Sequence, residues 1–350
     1  MIHGTQQNRR AIPAILLLGL ATLGFLNGCD GEASPTPAAE EAVYDRKRFE
    51  EGLVAIDEWL ANGDAGKAEV IAARLVELDP DSIAARQAHG NCLLILGSLA
   101  DQNGDPDAAE RFRIRADEAF QSALARSGGA ESAALIHQAA LAASARGDLE
   151  RALSLHVSAS EVDPADPTHP IFAANTLTRL QLPKEAITWF DRAIEIAPDE
   201  PWAWAGRAEC HRQLRSFDEA LEAIRTARAR SVARGTESGF PFRVAEGRIL
   251  REAGQPRRAA ELLFAVDSTE HTRESTSELA AACTAIEEHQ RAAEAWERFH
   301  HRNQGDVDSM VEAARCWIRA GEPEHAASWL ELAESAGVDP AVITAARRGE

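Results

Sequence analysis

The chain has 350 residues, with 56 acidic against 37 basic side chains and a formal charge of −19. That balance excludes a nucleic-acid grip, which rests on Lys and Arg neutralising phosphates, and it opposes adhesion to anionic lipid by charge alone. In chain order, Arg9 and Arg10 come first, followed by the apolar run AIPAILLLGLATLGFL, Ala11 to Leu26. Its 16 residues fall short of the about 20 that a membrane-spanning helix needs, so the run reads as the core of a secretory signal peptide, residues 1–28. Without that segment the charge becomes −19 − 2 = −21, because Arg9 and Arg10 go with it. Residues 29–44, with DGEASPTPAAEEA, offer almost no large apolar side chain. They cannot bury enough surface to offset the entropy of ordering, and they read as a flexible acidic tether.

The end of the apolar run, Leu26-Asn27-Gly28-Cys29, resembles the lipobox of bacterial lipoproteins, with Asn27 where a smaller residue is usual. The resemblance implies cleavage before Cys29, a lipid on the Cys29 thiol, and a chain anchored to a membrane facing the periplasm. An aspartate in the place of Asp30 favours the inner membrane in enterobacterial lipoproteins. The alternatives are an uncleaved signal anchor or an ordinary secretory cut, and both still export the chain.

From residue 45 the chain repeats itself. GDAGKAEVIAARLVELDP, GDLERALSLHVSASEVDP, QLPKEAITWFDRAIEIAP, SFDEALEAIRTARARSVA, GQPRRAAELLFAVD, EEHQRAAEAWERFH and GEPEHAASWLELAE each open on a turn, with an alanine five residues on, or four in the segment that starts at Ser216. These alanines are Ala68, Ala152, Ala186, Ala220, Ala259, Ala292 and Ala326, and from Ala152 the steps are 34, 34, 39, 33 and 34. Between Ala68 and Ala152 there is room for one longer copy, with GDPDAAE as its turn and Ala109 in the matching place.

This pattern resembles the tetratricopeptide repeat, a helix–turn–helix unit of 34 residues, in eight copies over about residues 49–338. The resemblance implies an all-α fold, a right-handed α-solenoid that fills 45–338. The residues support it independently. With the turn alanine at repeat position 20, position 8 is small in seven copies: Gly90, Ala140, Ala174, Ala208, Gly247, Ala280 and Ala314, with Ile56 the exception. Small residues at both places let two helices approach to about 8 Å. Large residues such as Phe190, Trp296 and Leu330 then fill the seam to the next helix. Single helices of this length are marginal in water, so stability must come from stacking neighbours. Copy two is longer, with a second helix that runs on. The step of 39 predicts a longer loop around SVARGTESGFP, with Gly235, Ser238, Gly239 and Pro241. Asp339-Pro340 opens residues 339–350, a capping helix and tail, because an acid before a proline is a strong helix start.

Catalytic constellations are lacking. There is no G-x-S-x-G, Walker loop, G-x-G-x-x-G or H-E-x-x-H, and the repeats leave no room for a separate enzyme domain, so the chain reads as a non-enzyme without cofactor or metal. His289, His300 and His301 read as surface histidines at a helix end. Asp306 and Asp308 read as turn and cap residues, because the glycine and closing glutamate of a calcium loop are absent. Cys92, Cys210, Cys283 and Cys316 read as buried small hydrophobes, with a Cys283–Cys316 bridge as the alternative.

What remains is binding. By resemblance, positions 2, 5, 9, 12 and 13 of each first helix line a concave groove. Those slots hold Asn175 and Arg179, Trp202 with Glu209, Arg212 and Gln213, then Arg248, Arg251 and Glu252, and later Arg315 and Arg319. Arginine forks suit carboxylates and Trp202 offers an aromatic anchor, so the expected partner is an acidic protein segment. Asn175 matches the asparagine of repeats that clamp a C-terminal carboxylate, but Gly206 stands where such a clamp has a second asparagine. The expected role is a membrane-tethered extracytoplasmic scaffold. The alternatives are a self-assembling envelope protein or a non-catalytic accessory subunit of an envelope enzyme.

Overall fold

The computed structural model describes residues 37–128, 132–235, 240–266 and 271–348, with side chains from Arg46 onward. The signal segment, Cys29 and the first part of the tether lie outside the described residues, as do Ser238 and Gly239 of the predicted loop. The described residues are helical throughout, without strands, and form the expected all-α helical-repeat fold. They divide into two compact units, Met1–Val162 and Asp163–Glu350.

The first unit holds three helical pairs: α1 (Pro37–Ala61) with α2 (Ala65–Leu78), α3 (Ile83–Gln102) with α4 (Pro106–Ser127), and α5 (Ala133–Ala145) with α6 (Leu149–Val162). Each helix packs on the next. Helix α1 starts at Pro37, inside the stretch read as tether. The physical reason is local: proline suits a first helical position, and Ala38, Ala39, Glu40, Glu41 and Ala42 are strong helix formers. The long second copy is built from helices of 20 and 22 residues. Its helices meet where Phe120 lies over Gly90; a Cβ there would come within 2.7 Å of the ring. Asp117 of α4 is buried and receives Arg146, just after α5, and Arg151 of α6, each at 2.9 Å. A buried carboxylate demands such partners, and these two join three helices.

The second unit holds five pairs and a final helix. The first helices of its pairs are α7 (Thr168–Arg179), α9 (Pro201–Gln213), α11 (Phe240–Glu252), α13 (Arg273–Ala285) and α15 (Asp308–Arg319). The second helices are α8 (Pro183–Ile196), α10 (Phe217–Ala233), α12 (Pro256–Phe264), α14 (His289–Arg302) and α16 (Pro323–Ser335). Helix α17 (Pro340–Arg347) packs on α15 and α16, and the Asp339 carboxylate accepts a hydrogen bond from the Ala341 N–H at 2.8 Å. One continuous apolar core runs from Ala208 to Ala346. Buried Glu246 of α11 is held by Arg225 at 2.7 Å and Arg228 at 2.8 Å, both from α10. Part of the extra length before copy six is helix: α10 continues through Ala233, and Gly235 turns with φ +87°.

The repeat slots are occupied as their sizes demand. The eight turn alanines, Ala109 included, are all buried, and so are the small residues at position 8. The residue five before each turn alanine is left-handed in every copy. Glycine takes that place in five of them, while Gln181, Arg215 and Glu287 adopt φ of 61°, 60° and 63° in the others.

Candidate protein-binding face

The expected site residues come from α7, α9 and α11. Trp202 sits in the first turn of α9, where Pro201 starts the helix and the Glu200 carboxylate caps the Trp202 N–H at 3.3 Å. Its indole is 54% exposed and packs tilted on the buried Phe242 ring of α11, with centroids 5.1 Å apart. Ile171 of α7 and Val244 of α11, which also occupy groove slots, are buried. Asn175 and Arg179 are exposed on α7.

The three other arginines are committed to carboxylates of the unit itself. Arg212 bridges Glu209 of its own helix, at 2.7 Å, and Glu252 of α11, at 2.8 Å. Arg248 reaches Glu278 of α13 at 2.7 Å and also pairs with Glu274. Arg251 reaches the same Glu278 at 3.0 Å. The result is a ladder from α9 through α11 to α13, in which three guanidiniums meet four carboxylates. Here the structure corrects the expected arginine surplus: the ladder is slightly acidic. Burial alone would raise the Glu209 carboxyl, but hydrogen bonds from Arg212 and Gln213 outweigh it and hold that carboxyl below its ordinary value. Arg212 is raised in turn by its hydrogen bond to Glu209.

Glu274 and Glu278 were not among the expected residues. Glu274 occupies position 2 of copy seven, a groove slot that the pattern itself could have exposed. Glu278 lies at position 6, outside the slots, and its partners stand 30 and 27 residues earlier. In the last copy Arg315 pairs with Glu312 at 2.6 Å, and Arg319 is exposed.

Gly206 has a packing reason. A Cβ there would stand 2.1 Å from the tip of the Phe190 ring of α8, so no asparagine fits beside Asn175 to complete a carboxylate clamp. The histidine cluster also differs from expectation. His300 is buried, because it lies one turn beyond Trp296 on the inner face of α14, and its Nδ1 is 2.9 Å from the Ser309 hydroxyl. Asp306 does cap: it accepts from the Ser309 N–H at 3.0 Å and pairs with Arg273. Cys92, Cys210, Cys283 and Cys316 are buried and free, so Cys283 and Cys316 form no bridge. Burial pushes the Cys283 and Cys316 thiols up to about 11, which keeps them protonated and inert. Among the described residues, Asp163, Asp166 and His169 place three metal-type donor atoms within 4.8 Å of one another. Both carboxylates are also engaged as turn acceptors, from the Ala165 and Thr168 N–H groups.

Comparison with known proteins agrees with this geometry. A family model described as "Tetratricopeptide repeat" matches residues 171–200, which span most of α7 and all of α8. A tetratricopeptide-repeat protein from Parabacteroides merdae superposes with a TM-score of 0.51 at 16% identity, covering 87% of this chain and 98% of its own. Lesser likenesses are to PilF of Pseudomonas aeruginosa (TM-score 0.48, 16% identity, 66% of this chain and 96% of that one) and to YrrB (0.41, 19%, 55% and 97%). At such identities the likeness speaks for fold. Eight helical pairs with buried alanine seams and a left-handed turn in every copy, together with the family match, make this chain a tetratricopeptide-repeat protein.

Proposed function

We propose that the chain is a membrane-tethered, extracytoplasmic scaffold whose second unit binds a partner protein segment across α7, α9 and α11. A protein-interaction scaffold is what the repeat fold supports in general. The tether and the address rest on the sequence of residues 1–44. Among the described residues no helix is long and apolar enough to cross a membrane.

The observation that carries the binding reading is Trp202. It is a large aromatic side chain, half exposed, backed by Phe242, and set beside an ordered ladder of charge. Interfaces concentrate their energy on such anchors, and polar groups around them fix register. The acidic character expected of the segment becomes a matter of exchange. A carboxylate from the partner gains Arg248 or Arg212 only by displacing Glu274 or Glu252, so the anchor supplies the affinity and the ladder supplies selectivity.

The test is affinity capture from a bacterial envelope fraction, followed by titration of the captured segment as a synthetic peptide. Trp202→Ala should weaken the peptide by about tenfold or more. Glu278→Gln, which releases Arg251 and leaves Arg248 with Glu274 alone, should tighten an acidic peptide. Equal binding by wild type and Trp202→Ala would end this reading. The address is tested separately, by intact mass and membrane fractionation of wild type beside Cys29→Ser. Loss of residues 1–28 with a lipid mass, in wild type alone, is the expected result.

A further inference from the structure

Helix α12 stops at Phe264 after 9 residues, while the other second helices of the unit run for 13 to 17. A cavity of about 240 Å³ opens between the end of α12 and helices α13 and α14. Its apolar side is formed by Val266, Leu279 and Ala295, all buried, with the Phe264 ring as one wall and His271 also in the lining. The one hydroxyl in it, from Thr276, already donates to the Thr272 carbonyl at 2.9 Å.

The lining is charged on one side only. Arg298 and Arg302, one turn apart on α14, both line the cavity and are exposed. The Arg298 guanidinium stands 6.0 Å from the centre of the Phe264 ring, and Arg291 covers the same ring at 4.0 Å. Arg291 is neutralised by Glu288 at 2.5 Å. Among the described residues, no carboxylate lies within ion-pair distance of Arg298 or Arg302, whereas the ladder arginines each have one or two. The Arg302 Nε is spent on the Arg298 carbonyl at 3.2 Å, which leaves its terminal nitrogens for a ligand. Arg302 also lies at the carboxyl end of α14, where a cation is favourable on its own account. That does not explain Arg298, a turn further in and set against the cavity's aromatic wall.

From these observations we propose that the cavity binds a small organic anion, a carboxylate on an unbranched apolar body, with the body against Phe264 and Leu279 and the carboxylate on Arg298 and Arg302. The volume sets the size. At about 30 Å³ for each water-sized group there is room for about eight non-hydrogen atoms inside, which suits the tail of a medium-chain carboxylate. Two guanidinium forks prefer a carboxylate to any neutral head group. The site belongs to α12, α13 and α14 and does not depend on the binding face described above.

The test is calorimetric titration of the full chain with octanoate, with acetate and octylamine as the controls for tail and charge. Octanoate should saturate one site, while neither acetate nor octylamine should compete. Arg298→Gln with Arg302→Gln should weaken octanoate by about tenfold or more. Both side chains are exposed, so the variant keeps its fold, and an unchanged circular dichroism melt will verify this. No saturation below about 10 mM, equal binding of octylamine, or undiminished binding by the double variant would each overturn the proposal.

Discussion

Two kinds of residue show how little the family pattern leaves to chance, and both give measurable consequences. At Gly206 the missing side chain is a steric requirement, since a Cβ would meet the Phe190 ring at 2.1 Å. Overpacking of this kind costs about 1–3 kcal/mol, so Gly206→Ala should lower the urea midpoint of the unit, and adding Phe190→Leu should restore part of the loss. Arg215 presents the opposite case. It holds φ of 60° in a turn where most copies have glycine. A left-handed residue with a side chain is strained by about 1 kcal/mol, so Arg215→Gly should stabilise the chain by about 0.5–1 kcal/mol. A midpoint that falls for Arg215→Gly would mean that its side chain contributes more than its backbone costs.

At the scale of elements, the helices follow from residue sizes that can be read directly. Alanine and glycine recur where two axes come closest, large side chains recur at the seams, and a turn precedes each second helix. The same reading also found the capping helix. Ile343 and Ala346 of α17 are buried in the core that includes Trp329 and Leu330 of α16. Removing residues 340–350 should therefore raise amide exchange in α15 and α16 first, because a repeat array loses its end before its middle. Unchanged protection in α16 would show that α17 rides on the array without holding it. The binding face was legible only in part. Slot positions offered Trp202 and the arginines as expected members of one face, since a helix of known register fixes which side chains share it. They could not reveal that Arg248 and Arg251 converge on Glu278, because that pairing is set by the packing of two helices whose residues are separated by a whole repeat. The burial of His300 escaped for a related reason: charge type suggested the surface, while register with Trp296 placed it inside. The cavity at α12 was hidden as well, because a helix that stops one turn early is a matter of boundaries, the least legible feature of any sequence.

For the whole molecule, the buried and partly buried ionisable groups predict how stability responds to acid. His89 in the first unit, and His169 and His211 in the second, have pKa values below 6.5, chiefly because burial disfavours their charged forms. Glu69 and Glu209 are partly buried, which alone would raise them, but their hydrogen bonds with His89 and Arg115, and with Arg212 and Gln213, hold them below 4.5. In every case the folded value is the lower one, so the unfolded chain takes up protons first. Stability from the histidines is complete above pH 6.5 and is lost as pH falls from there through their folded values; that from the glutamates is complete above pH 4.5 and is lost below it. The net charge of −19 works against this trend, because acid relieves the self-repulsion of an acidic chain. Salt at about 0.5 M shortens the reach of that repulsion to a few ångströms and leaves buried groups nearly untouched. Urea midpoints measured in such salt should therefore hold steady from pH 8 to pH 7 and fall by pH 5.5, well before the carboxylates titrate. His89→Gln should flatten the fall in the first unit, with a lower starting midpoint because Glu69 then keeps Arg115 alone. A profile that stays level to pH 5 would mean that the imidazoles accept protons in place, and that these seams open to water more readily than their packing implies.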